Sequence, residues 1–176
     1  MPTARRFGPV AGLAVHSAGF PDSDVALRAG IPVTTPERTC WDLAQWLRVE
    51  DAFAMVDVLV RRRLVDPGRL SERARRHTGE RGWKRMLRVA DLTDGGAESP
   101  PESRLRVRLV LAGLPAPVTQ FVVERNGAFV ARLDLAWPRW KIAIEYDGIG
   151  TTIRNSSTGT GAGSTGWSVT TGSSST

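Results

Sequence analysis

The chain has 176 residues, 41% hydrophobic and 24% charged, enough for one ordinary globular domain or two small ones. The lone Cys40 excludes an internal disulfide and a cysteine-built zinc site. No signal peptide and no apolar run of membrane-spanning length is present, so a cytoplasmic protein without a membrane partner is expected. The net charge of +6 points toward an acidic partner, nucleic acid first, although a bias toward Arg over Lys (only Lys84 and Lys141) also arises from GC-rich coding.

In chain order, Val10 to Ala18 has the makings of a strand, and Ile31-Pro32-Val33 of another. A helix start follows. Thr34 or Thr35 caps, Pro36 suits the first turn, and Glu37 favours the positive end of the dipole. Cys40, Leu43, Ala44 and Leu47 give this helix its apolar stripe. Glu50 to Leu64 repeats the pattern through Phe53, Val56, Leu59 and Val60. Asp66-Pro67-Gly68 turns the chain into a polar helix over 69–76, and Trp83, Met86, Leu87 and Ala90 mark a fourth. From Arg61 to Arg88 eleven basic residues face three acidic ones. Such a stripe neutralises phosphates, or it is a solvated Arg-rich surface. Arg61, Arg62, Arg63, Arg73, Arg76, Lys84 and Arg85 are its candidate DNA contacts. His16 and His77 lack metal-ligand spacing and read as ordinary residues.

Asp94-Gly95-Gly96 reads as a linker. Ser99 then caps a helix with Pro100 at its first position and Glu102 where a capping box places a carboxylate, and Gly113 ends it. A strand over 118–123, the Asn126-Gly127 turn and a second strand follow. Strand alternation places Phe129, Ala131, Leu133 and Leu135 on one face and Arg132 and Asp134 on the other. In the run after the Trp137-Pro138-Arg139-Trp140 corner, Ile142, Ile144 and Tyr146 oppose Lys141, Ala143, Glu145 and Asp147. Paired antiparallel, the two runs bring Asp134 to face Glu145 and Asp147, a cluster that repels itself unless a cation sits in it.

A helix glutamate, a strand aspartate and a next-strand glutamate, in that order, resemble the layout of PD-(D/E)XK nucleases. The stretches 97–106, 132–138 and 143–148 are similar to those of an actinobacterial family ending in a very-short-patch-repair-like endonuclease domain. Ile31 to Thr39 and Trp41-Asp42-Leu43-Ala44 resemble the middle region of the same proteins, which is related to AbiEi-type antitoxins. Carried over, the resemblance implies metal binding by Asp134 and Glu145, with Asp147 as a further ligand and Glu102 assisting from the helix. The ion is a divalent metal, magnesium by preference, that activates water for phosphodiester hydrolysis. The family lysine has no counterpart, since Asp147 stands in its place. It also implies a chain shortened at its front, where family members carry a winged-helix segment.

After Gly148 the composition turns almost wholly to Ser, Thr and Gly. This is either a low-complexity, disordered tail or a shifted reading frame whose hidden text permits a basic helix and a buried strand. The overall expectation is an α+β chain in three parts. A small, mostly helical AbiEi-antitoxin-like unit spans 1–93, and an incomplete restriction-endonuclease-like domain of one helix and a three-stranded antiparallel sheet spans 97–148. The tail takes 149–176. Two functions follow: an endonuclease-like protein impaired by truncation, or a DNA-binding antitoxin-type regulator with DNA and a cognate toxin as partners.

Overall fold

A computed structural model describes residues 11–19 and 21–146, with 151–155 and 168–170 as backbone strands. It divides into two units, Met1–Thr35 and Pro36–Thr176. In the first, β1 (Val25–Arg28) pairs antiparallel with β2 (Ile31–Thr34), Val25 opposite Thr34. Ala29 and Gly30 turn the hairpin with φ of 49° and 79°, the left-handed pair that a two-residue hairpin loop requires. The strand expected over 10–18 is not formed: residues 14–18 are irregular, and β2 takes its partner from 25–28.

The second unit is mixed α+β. Its helices are α1 (Pro36–Trp46), α2 (Val49–Arg61), α3 (Pro67–Arg76), α4 (Trp83–Leu92) and α5 (Pro100–Leu111). The start of α1 at Pro36 follows the expectation from its Pro and Glu signals. Asp66 caps α3 by accepting from the Arg69 N–H at 2.9 Å, and Ser99 caps α5 by accepting from the Glu102 N–H. Helix α2 ends three residues short of Leu64, because Arg63 takes φ 56° and breaks the ladder. The apolar stripes meet in one core of Cys40, Trp41, Ala44, Phe53, Val56, Leu70, Met86 and Val89, which Val107 of α5 also joins.

Helix α5 is apolar on two sides. Val107 enters the helical core, while Leu105 and Leu109 pack on Leu135, Trp137 and Ile144 of the sheet. Charge reinforces the α2–α5 contact. Arg106 bonds Asp57 at 3.0 Å with both side chains buried, Arg104 bonds Asp51 at 2.7 Å, and Arg108 lies 3.8 Å from Glu50. The stretch expected as a linker at 94–96 therefore lies inside the second unit and is closely packed. The Asp94 N–H donates to Asp57, and Thr119 donates to the Asp94 carboxylate at 2.9 Å. A Cβ at Gly96 would run into Thr119.

The sheet has strands β3 (Val118–Arg125), β4 (Ala128–Trp137), β5 (Ile142–Tyr146), β6 (Thr151–Asn155) and β7 (Ser168–Thr170), in that spatial order and all antiparallel. The expected strands β3 to β5 are present, and Asn126 (φ 53°) and Gly127 (φ 76°) make the hairpin turn between the first two. Two short strands from the Ser/Thr/Gly segment extend this sheet, so the edge of β5 is paired with β6 instead of open. An unpaired edge would leave its N–H and C=O groups to find other partners. No described helix is long and apolar enough to cross a membrane.

Candidate functional site

Two sets of side chains bear on function. The first is the basic surface built on α3. The spacing of Arg69, Arg73 and Arg76 (i, i+4, i+7) places them along one side of that helix. A depression of about 370 Å³ is lined by Glu37, Arg63, Leu64, Val65, Asp66 and Arg69, among others. A second, of about 310 Å³, is lined by Glu37, Arg69, Glu72, Arg73, Arg76 and His77. They share Glu37 and Arg69, so together they form a groove between the start of α1 and the length of α3. Four arginines face three carboxylates along it (Glu37, Asp66 and Glu72), with His77 at its end.

The sequence candidates fall into two classes here. Arg63, Arg73 and Arg76 line the groove, and Arg76 lies 3.5 Å from Glu72 in an exposed pair that carries little energy. Arg62 and Lys84 are exposed, Lys84 with its ammonium 5.6 Å from the Trp83 ring. Arg61 and Arg85 are engaged by the fold. Arg61 donates to the Glu98 carbonyl and lies 3.8 Å from the Glu98 carboxylate. Arg85 donates to the carbonyls of Gln45 at 3.1 Å and Leu47 at 2.7 Å, satisfying the C-terminal end of α1. Sequence reasoning missed Arg69, the arginine common to both depressions, although its helical spacing from Arg73 and Arg76 could have revealed it. His77 was also set aside. It stands edge-on to Trp41 with centroids 5.6 Å apart, and its Nδ1 lies 2.7 Å from Glu80.

The second set is the carboxylate group of the sheet. Glu102 and Asp134 do come together, through Gln120: its Nε2 donates to Glu102 at 3.2 Å and to Asp134 at 3.3 Å. Gln120 has φ 49° within β3 and sits between the pairs Thr119–Leu135 and Phe121–Leu133, opposite Asp134. This left-handed residue interrupts the pleat. The expected alternation breaks there: Leu133 packs with Ala136 and Ala143, while Leu135 packs with Trp137 and Ile144. The β4–β5 register ends at the pair Leu135–Ile144, one step short of Asp134 and Glu145. Asp147 lies outside the described residues. Lys141 is not on the strand; it is exposed at the corner before β5, with φ 52°.

The oxygens of Glu102 and Asp134 already accept hydrogen bonds. Glu102 accepts from the Ser99 hydroxyl at 2.6 Å and from the Glu98 N–H at 2.8 Å, the capping-box arrangement, in addition to Gln120. Asp134 accepts from the Tyr146 N–H at 2.8 Å with its other oxygen. Among the described residues no group of three or more His, Cys, Asp or Glu side chains is placed to hold a metal.

The arginine groove lies inside a matched family region and the carboxylate group lies outside it. Two uncharacterized proteins of Mycobacterium tuberculosis, from strains CDC 1551 and H37Rv, are each 30% identical to the chain over 144 residues, which is 82% of this chain and 52% of theirs. The chain thus spans about half the length of the curated relatives it matches. No solved structure matches it. Residues 4–92 match the AbiEi antitoxin C-terminal domain, a match that contains the whole α3 groove and stops short of Glu102, Asp134 and Glu145. Since that match takes in half of the sequence, the chain belongs to the AbiEi antitoxin C-terminal domain family.

Proposed function

We propose that the protein is a DNA-binding regulator of the antitoxin type, holding nucleic-acid phosphates in the α3 groove. One observation carries this reading: Arg63, Arg69, Arg73 and Arg76 converge on two adjoining depressions within the antitoxin-family region. Guanidinium groups form forked bonds to phosphate oxygens, and a concave arrangement offers several of them to one backbone. Exposed Arg81, just before α4, and exposed Lys84 and Arg88 on it add to the positive field. Titration of a labelled DNA duplex tests the reading. Wild-type protein should bind, and Arg69→Gln combined with Arg76→Gln should weaken binding at least about ten-fold at low salt. Unchanged affinity would remove the groove from the proposal. A toxin as second partner belongs to the same reading. Its test is whether this chain restores growth to cells expressing a toxin encoded beside its gene.

A second reading, metal-dependent phosphodiester hydrolysis, rests on the juxtaposition of Glu102, Gln120 and Asp134. Magnesium prefers a near-octahedral set of oxygens, and Glu102 and Asp134 already accept hydrogen bonds, so this reading depends on Glu145 and Asp147 completing the set. Weak or absent cleavage is the expectation. Robust magnesium-dependent cutting of plasmid DNA, abolished in Asp134→Ala, would establish the enzyme instead.

A further inference from the structure

The connection between β4 and β5 is a single 3₁₀ turn, Pro138–Trp140, between Trp137 and Lys141. Its two tryptophans have opposite fates. Trp137 is 7% exposed, packs with Leu135 and Ile144, and donates its Nε1 hydrogen to the Pro115 carbonyl at 2.7 Å. Trp140 is 49% exposed. The corner that presents it is held. Pro138 restricts its own φ, the Lys141 N–H closes the turn on the Pro138 carbonyl at 3.1 Å, and Lys141 takes φ 52°, a conformation that costs a non-glycine residue energy. The Arg139 guanidinium carbon sits 5.6 Å from the centroid of the Trp140 ring. Arg139 and Lys141 are both exposed, and neither forms an ion pair among the described residues.

A single exposed aromatic residue is common on protein surfaces. This one differs in being anchored by a buried neighbour and flanked on both sides in sequence by cations that form no ion pair among the described residues. The chemistry of its cover follows from that set. An apolar protein surface would bury the two cations away from water. An acidic peptide would satisfy the cations but brings no obligatory planar group for the indole. A nucleobase with its phosphates satisfies both, stacking on the ring while Arg139 and Lys141 meet the backbone.

We infer that Trp140 is a stacking platform for an unpaired base of a single-stranded nucleic acid, with Arg139 and Lys141 as its phosphate contacts. The inference rests on the nucleic-acid reading above and assigns a second surface, on the sheet, with a different selectivity. The α3 groove reads only charge; the corner distinguishes a strand with bases from one without.

The test compares two fluorescent oligonucleotides of equal charge, oligo-dT and the same strand with abasic sites at its central positions. Full-length wild-type protein binds the base-bearing strand about ten-fold more tightly. Trp140→Ala erases that preference, Trp140→Phe keeps most of it, and Arg139→Ala weakens both strands alike. Equal wild-type affinity for the two strands, no binding of either, or a preference that survives Trp140→Ala overturns the proposal. Since the comparison between strands uses the wild-type chain, it stands even where a variant folds poorly. Duplex binding by Arg69→Gln/Arg76→Gln separates the two surfaces: an unchanged duplex affinity beside an intact base preference sinks the groove alone.

Discussion

Arginine is used in two ways in this chain, and only the structure separates them. Arg106 is 4% exposed and pairs with Asp57, itself 1% exposed. Removing one member of such a pair leaves an uncompensated buried charge, so Asp57→Ala should lower unfolding free energy by about 3–5 kcal/mol in urea titration. A loss below about 1 kcal/mol would show that Arg106 finds water or Asp94 instead. Arg85 belongs to the same structural class although it is exposed. Arg85→Ala should lower the thermal midpoint and leave DNA affinity unchanged, because its guanidinium already serves the carbonyls of Gln45 and Leu47 at the end of α1. Cys40 shows what the helical core does to a titratable group. Burial, with the nearby Glu37 charge adding to it, pushes its thiol from the ordinary 9.0 up to about 12. The folded chain therefore keeps the proton that the unfolded chain releases above pH 9. The stability from this site is complete below that pH and falls as pH rises toward 12, by about 1.4 kcal/mol per unit. At pH 8 the thiol should resist a disulfide reagent until denaturant is added; prompt reaction in the native protein would contradict its burial.

At the scale of elements, α5 holds the second unit together. It gives Val107 to the helices, Leu105 and Leu109 to the sheet, and three arginines to the acidic side of α2. Ser99→Ala should cost about 1 kcal/mol through the lost cap. Gly96→Ala should cost about 1–3 kcal/mol, because a methyl group there displaces Thr119 and with it the bond to Asp94. A neutral Gly96→Ala would mean that the 94–96 stretch is the loose linker its composition implies. The helices and β3 to β5 were legible in the sequence from apolar spacing, helped at α3 and α5 by a cap and a proline. The joint at 94–96 was not legible, since glycine marks a flexible turn and a close approach with the same letter. The pleat break at Gln120 was equally hidden: nothing in Val-Thr-Gln-Phe signals a left-handed residue, and the parity argument across Leu133 and Leu135 failed there. The strand Val25–Arg28 escaped for a related reason, being four residues long and largely exposed.

For the whole molecule, the charge surplus becomes specific once its members are sorted. Of the seven basic candidates read from sequence, three line the groove, two stand exposed, and two hold other elements in place. The stripe itself was readable from composition, whereas the split depended on which carbonyls and carboxylates the fold brings near each guanidinium. The carboxylates were read from a resemblance to a motif; in the structure Glu102 and Asp134 share Gln120 as donor, and their other partners are Ser99, the Glu98 N–H and the backbone of Tyr146. The central claim is that the α3 groove binds phosphates. The slope of log affinity for duplex DNA against log salt measures it most directly. Four groove arginines engaged with phosphates give a wild-type slope of about −3.6, and Arg63→Gln/Arg69→Gln/Arg76→Gln should bring it to about −0.9. An identical slope in the two proteins would contradict the account.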